Sequence, residues 1–285
     1  MGFISAAPEP KNHIKTLMRI GYDFNSAIAD ILDNSITAES TEIDINVKFN
    51  ETDPLLLISD NGHGMTEDEL LENMKVSCKD PDESREIGDL GRFGSGMKTA
   101  SFSHARKLTV ISKNPKSKIC GACWDIDEIE TSNLWNLEVL SDKRIANELS
   151  RIDVKFIDKG TILIWDNITM FRSNDHIELH DQISSKLSEL KQYLSLHFHK
   201  FMQGKNKIKF RIQGDQLNPQ DPFLSSHTGS ITLGEDNPLV DGKKVSPKEF
   251  ESMRDKFHNQ SFAKGGKITN QGLKSSGPRW RRGKY

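Results

Sequence analysis

The sequence predicts an α+β protein with helices laid on a sheet, and three observations carry that prediction. Residues 24–38 repeat apolar side chains at helical spacing. The stretches on either side of residue 52 read as strands, one alternating and one continuously apolar. Clusters of Gly, Asp and Asn punctuate them. With 285 residues, 35% of them hydrophobic and 28% charged, the chain can bury one large core or two smaller ones beneath a polar surface.

The first periodic stretch, FNSAIADILDNSITA, puts Ala27, Ile28, Ile31, Leu32 and Ser35 on one face, with Asn25 as its expected N-cap. Glu42–Phe49 then alternates apolar and polar residues. Leu55–Ser59 is an apolar run, expected as a buried strand, and it ends at the turn signal Asp60-Asn61-Gly62. Thr66 and Glu69 have capping-box spacing for a helix over 70–75. The loop Ser77–Lys98 is rich in Asp, Arg, Ser and Gly and longer than a connector needs to be. Strands are expected at Lys107–Ser112, Ile119–Ile126, Leu134–Val139 and, after Gly160, Thr161–Trp165. A helix over 180–201 would bury Ile183, Leu187, Leu190, Leu194 and Phe198, and a strand at Lys207–Gln213 would follow it. No internal repeat is present. The layout is one helix-on-sheet domain and a smaller unit beginning near residue 175.

Composition narrows the function classes. No apolar run is long enough to cross a bilayer, and the N-terminus lacks the apolar stretch of a signal peptide. Ala6 stands where N-myristoylation requires Ser or Thr. Three cysteines make no disulfide framework and suit a reducing, cytoplasmic setting. Cys120 and Cys123 have metal-ligand spacing, but with no second pair they read as a buried strand-end pair. The net charge of −2 conceals seven basic and no acidic residues from Lys264 to Tyr285. That tail, with Trp280 among Arg279, Arg281 and Arg282, suits either a nucleic-acid contact or a solvated end.

Three short elements bear on chemistry. Asp30 and Asn34, four apart, share one helical face: either a solvated polar face, or two oxygens suited to a water and a hard cation such as Mg²⁺. Asp60-Asn61-Gly62-His63-Gly64-Met65 is either a strand-to-helix turn or a pocket. In the pocket reading, Asp60 accepts from an amino group and Gly62 and Gly64 admit a flat ring. Gly88-Asp89-Leu90-Gly91-Arg92-Phe93-Gly94-Ser95-Gly96-Met97-Lys98-Thr99 fits neither a Walker A loop nor the Rossmann fingerprint. It does end where a helix should begin, so its N–H groups suit phosphate oxygens unless it is a loop that binds nothing.

In this order and spacing the three elements resemble the GHKL superfamily of gyrase, the ninety-kilodalton heat-shock chaperone, histidine kinases and MutL, with MORC-type and related prokaryotic ATPases nearest. Gly160-Thr161 resembles the family's fourth motif, so the likeness covers about residues 10–170. The resemblance implies a Bergerat-type sandwich: a mixed, largely antiparallel sheet covered by helices on one face. It also implies ATP and Mg²⁺ as ligands. Asn34 would hold the metal, Asp60 the adenine amino group, and Thr161 would support Asp60 through a water. Gly62, Gly64 and Met65 would shape the adenine pocket. Gly91, Gly94, Gly96, Lys98 and Thr99 would belong to the lid and phosphate site.

Asp30 occupies the position of the general base. The family's hydrolases usually have Glu there, so the catalytic carboxylate is one methylene short. A partial transducer-like unit is expected to follow, giving domains at 1–172 and 173–263 and a basic tail at 264–285. Its γ-phosphate lysine is open among Lys243, Lys244, Lys264 and Lys267. The expected function is an ATP-driven conformational or dimerisation switch in a DNA-related or defence process, cytoplasmic or nucleoid- or nucleus-associated. The competing expectation is an ATP-sensing module that hardly hydrolyses. A histidine kinase is disfavoured, because no phospho-acceptor hairpin precedes the motifs.

Overall fold

The computed structural model describes residues 4, 7–50, 53–76, 96–154, 158–171, 175–224 and three two-residue strands at 231–232, 239–240 and 243–244. The chain divides into two compact units, Met1–Gln220 and Asp221–Tyr285. In the first, the order is α1 (Pro10–Met18), α2 (Phe24–Thr37), β1 (Glu42–Asn50), β2 (Asp53–Asp60), α3 (Glu67–Met74), α4 (Gly96–His104), β3 (Ala105–Lys113) and β4 (Cys120–Asp125). Then come α5 (Ile126–Ser132), β5 (Glu138–Val139), α6 (Asp142–Ile152), β6 (Gly160–Ile168), α7 (His176–His197), β7 (Lys209–Ile212) and β8 (Asp215–Gln216).

Eight strands form one sheet in the order β5-β4-β3-β6-β2-β1-β7-β8. Every pairing is antiparallel except β1 with β7, which is parallel. The expected α+β sandwich is therefore present.

Strand alternation assigns the two faces. Leu56 and Ile58 of β2, Leu108 and Val110 of β3, and Leu163 and Trp165 of β6 share one core with α2, α4, α5 and α7. The residues between them, Leu55, Leu57, Ile111, Ile162 and Ile164, form a second core with Ile145 and Ile152 of α6. The helices cover one face, as expected, and α6 is an addition on the other. The second face carries a smaller apolar patch, and α6 covers it. Arg151 of α6 anchors that helix with a two-pronged pair to Asp166 of β6 at 2.6 and 2.9 Å.

The helix starts follow local chemistry. α2 begins at Asp23, whose carboxylate accepts from the Ser26 N–H at 3.1 Å, so Asp23 and not Asn25 is the N-cap. α3 has the full Thr66–Glu69 capping box. Of the expected strand at Leu134–Val139 only Glu138–Val139 joins the sheet. The short helices α1, α5 and α6 stand where the sequence offered no long periodic run; α5 and α6 are capped by Asp125 and Ser141.

The segment after residue 172 belongs with the first unit up to Gln220. Leu179, Ile183, Leu190 and Leu194 of α7 enter the main core, and β7 extends the main sheet beside β1. Arg211 pairs with Glu42 and Asp44, and Lys209 with Glu42, across that junction. In the second unit, β9 (Ile231–Thr232), β10 (Leu239–Val240) and β11 (Lys243–Lys244) form a three-stranded antiparallel sheet.

Candidate nucleotide-binding site

The site is built where α2 crosses the end of the central strands. Helix α2 presents different residues to its two sides. Asp30 is half-buried and Asn34 exposed, while Ser35 faces inward and is buried. Asn34 Nδ2 donates to the Asp30 main-chain carbonyl at 3.1 Å, which leaves Oδ1 as the side-chain oxygen for a cation.

Ser35 Oγ donates to Asp60 Oδ2 at 2.9 Å, and the Gly62 N–H donates to Asp60 Oδ1 at 2.9 Å. Burial pushes the Asp60 carboxyl above the ordinary aspartate range, and these donors pull it back. A carboxylate has about four lone-pair sites, so Asp60 can also accept from an amino group beside the Ser35 and Gly62 donors.

Opposite Asp60 in the β2–β6 ladder sits Thr161. Its hydroxyl is 2.9 Å from Ser112 Oγ, which also accepts from the Met65 N–H at 2.9 Å. Asp60, Gly62, Met65 and Thr161 therefore converge on one end of the sheet, with Ser112 linking them from β3.

Gly64 and Gly62 answer first to the chain itself. Gly64 has φ +65°, and a Cβ there would lie 1.9 Å from the Lys113 carbonyl oxygen. A Cβ on Gly62 would lie 2.7 Å from Ser40 Oγ and 2.8 Å from the Ala38 carbonyl. These two glycines let the turn lie against the end of β3 and the end of α2, whatever else they admit.

Among the described residues, Tyr22 and Gly96 lie against the Asp30 carboxylate. The Tyr22 hydroxyl donates to its Oδ2, and that bond, with partial burial, pushes the tyrosine up to about 12. Gly96, the first residue of α4, lies so close that a Cβ there would be 3.7 Å from Asp30 Oδ2. Asp33, a second carboxylate on α2, is raised by burial, lowered by His197 and raised again by Asp30.

Thr99 lies half-buried in the first turn of α4. Lys98 is 1% exposed and donates to the Asn73 carbonyl near the end of α3 at 2.6 Å. Its described bond therefore ties α4 to α3. Gly91 and Gly94 lie outside the described residues, as do Lys264, Lys267 and the rest of the basic tail. Sequence reasoning missed Tyr22, Ser35 and Ser112 as parts of the site. The available signals were a serine within the apolar stripe of α2 and one ending the apolar run of β3.

Among the described residues no cluster of three or more His, Cys, Asp or Glu is arranged to hold a metal. A magnesium ion at Asn34 would then draw most of its ligands from phosphates and water, as Mg²⁺ commonly does. Cys120 and Cys123 lie in the two different cores, on opposite faces of β4, so they cannot share a metal.

An Asp-x-x-Asp-Asn helix lying over a strand that ends in Asp-x-Gly-x-Gly, with the partner strand's threonine alongside, defines an ATPase-type nucleotide-binding sandwich. Residues 22–161 match the family model described as histidine kinase-, DNA gyrase B-, and HSP90-like ATPase, and this segment of the chain is similar to that family. It is 39% identical over 89 residues to the chaperone protein HtpG of Clostridium perfringens, covering 28% of this chain and 14% of that one. It is 37% identical over 90 residues to the putative MutL protein homolog 1 of Schizosaccharomyces pombe, covering 31% and 13%. The HtpG of Francisella tularensis subsp. holarctica is 26% identical over 126 residues, covering 40% and 19%. The chain thus spans less than a fifth of each of these relatives.

Proposed function

We propose that the chain binds ATP with magnesium at this site and hydrolyses it slowly, using the nucleotide to drive a conformational or dimerisation switch. The observation that best supports the reading is the Ser35–Asp60 bond. It joins the helix bearing Asp30 and Asn34 to the strand end bearing Asp60, so one rigid junction presents a base acceptor, a cation ligand and a carboxylate together. Asp60 accepts from the adenine amino group. Ser112 and Thr161 hold the neighbouring strands and the Met65 N–H in register. Asn34 Oδ1 would hold a magnesium ion, which when bound would neutralise phosphate charge.

Asp30 takes the proton from the attacking water as the water oxygen bonds the γ-phosphorus and the bond to ADP breaks. Its carboxylate is shorter than glutamate by one methylene. A retreat of roughly 1 Å costs on the order of a hundredfold in rate where attack geometry is not restored. Slow turnover follows. Gly96 and Thr99 line the approach from α4; Gly91, Gly94 and Lys98 complete the phosphate side by resemblance to the family.

Domain roles and partners follow the same resemblance. Residues 1–172 supply the nucleotide pocket, 173–263 act as a transducer-like segment whose first part, α7 and β7, is built into the same unit as the pocket, and 264–285 form a basic tail able to meet nucleic acid. The bound state favours a homodimer or a partner protein in a DNA-related or defence task. No described helix is long and apolar enough to cross a membrane.

A second reading, an ATP-sensing module with little hydrolysis, is favoured by aspartate at position 30. Phosphate release from the parent, Asp30→Ala and Asp30→Glu decides between them, with ATP-analogue binding measured alongside. Hydrolysis requires a parent rate above that of Asp30→Ala. Equal background rates in all three with binding retained would establish the sensor, and loss of binding in Asp60→Ala tests the pocket itself.

A further inference from the structure

Asp30 is the shortest side chain that can place a carboxylate on this face of α2, and it does not stand alone. Tyr22 lies in the link between α1 and α2, one residue before the N-cap Asp23. Its hydroxyl nevertheless reaches Asp30, eight residues on, and donates to Oδ2. Two turns of α2 separate cap and carboxylate, so the phenol runs along the helix and not across it. The ring is partly buried and packs against the main core, so the hydroxyl arrives on a stiff aromatic lever with few rotamers.

On its other side Asp30 Oδ2 faces Gly96, which lacks a side chain to displace it. Bound to a phenol, Oδ2 is engaged, and Oδ1 is the oxygen left to accept from water. A carboxylate with both oxygens unrestrained would sample several χ1 and χ2 settings, and only a fraction would meet a water in line.

We propose that Tyr22 is a positioning residue for Asp30: it fixes the carboxylate in one orientation and so offsets part of the reach lost with the missing methylene. This rests on the reading of Asp30 as the base that activates water. Tyr22 touches neither nucleotide nor water in this account and acts only through Asp30. Its effect therefore belongs to turnover and not to nucleotide affinity.

The test is a double-mutant cycle on the full chain with Tyr22→Phe, Asp30→Ala and the pair. Steady-state phosphate release gives kcat and KM, ATP-analogue titration gives affinity, and thermal melting checks folding. Tyr22→Phe keeps the ring and its packing and is expected to lower kcat roughly tenfold with KM and affinity within about twofold of the parent. In the Asp30→Ala background the same change is expected to cost nothing further.

Four outcomes overturn the inference. An unchanged kcat in Tyr22→Phe removes the role while leaving Asp30 as base. A tenfold loss that persists without Asp30 means that Tyr22 acts by another route. If Asp30→Ala turns over like the parent, or the parent does not exceed background, the reading of Asp30 fails as well. A rise in KM with kcat unchanged would make Tyr22 a binding residue and also refute the positioning role.

Discussion

Ser35 Oγ donates to Asp60 Oδ2 at 2.9 Å, and this bond joins helix α2 to the end of strand β2. Ser35 is 4% exposed, while its neighbour Asn34 is exposed. Consecutive helical residues thus divide the work: one locks the helix to the sheet and the other faces outward.

Removing that hydroxyl should loosen the junction without disturbing the fold. Ser35→Ala leaves a partly buried carboxylate with one donor fewer, at a cost of about 1–2 kcal/mol. The expected outcome is ATP affinity weakened by roughly tenfold, read by calorimetric titration, with circular dichroism unchanged. Asp60→Asn, which keeps the shape but replaces an acceptor oxygen with a donor, should weaken it further. A Ser35→Ala variant that binds like the parent would show that the remaining donors to Asp60, Gly62 among them, suffice.

Stability should fall on the acid side through His104. This ring stacks on Trp165 with centroids 5.7 Å apart and meets Phe24 edge-on, and its buried Nε2 has no hydrogen-bond partner among the described residues. Burial lowers its pKa below the ordinary 6.5. The unfolded chain therefore takes up a proton at a pH where the folded one does not, and stability drops as pH falls from 6.5 towards the depressed folded value. Asp33 and Asp60 act in the opposite sense at lower pH, because burial raises them and their folded forms protonate first. Urea titrations across pH 5–8 should show the His104 slope, and His104→Phe should flatten it. A slope unchanged in that variant would assign it to another group.

The two cysteines of β4 should be inert in the folded protein. Burial pushes both Cys120 and Cys123 up to about 11, so little thiolate exists near neutrality. Alkylation at pH 8 followed by peptide mass mapping should leave both unmodified in the native protein and modify both in urea. Labelling of either in the native state at a rate near that in urea would contradict the burial seen here.

How much of this was legible in the sequence depended on whether the governing contact was local. The stripe of α2 and the Thr66–Glu69 box could be read because their partners lie within a turn. The parallel pairing of β7 with β1 could not, since Lys209 meets Glu42 across most of the chain. Helix α6 escaped notice because its site on the second face is defined in part by Leu55, Leu57 and Ile111, and none of these is near it in sequence. In the site, Asp30, Asn34, Asp60 and Thr161 were named from motif spacing. Ser112 was hidden because a serine ending an apolar strand carries no mark of what it will meet. Tyr22 was hidden because its partner lies beyond helical i,i+4 reach.

The motif glycines should separate into two classes under substitution, and the separation tests why they are glycines. Gly64→Ala places a methyl 1.9 Å from the Lys113 carbonyl at a φ of +65°. Neither backbone can yield without breaking the contact between the turn and β3, so a loss of at least about 3 kcal/mol is expected, with most of the protein insoluble. Gly96→Ala puts its methyl 3.7 Å from Asp30 Oδ2, an ordinary contact, in the first turn of a helix where alanine is the better former. Its melting temperature should equal or exceed the parent's. Its phosphate release should still change, because the methyl enters the space beside the proposed base. Equal stability of the two variants would mean that the turn at Gly64 has room which this packing denies it. A Gly96→Ala protein of parental stability and unaltered turnover would mean instead that water reaches Asp30 from the side away from α4.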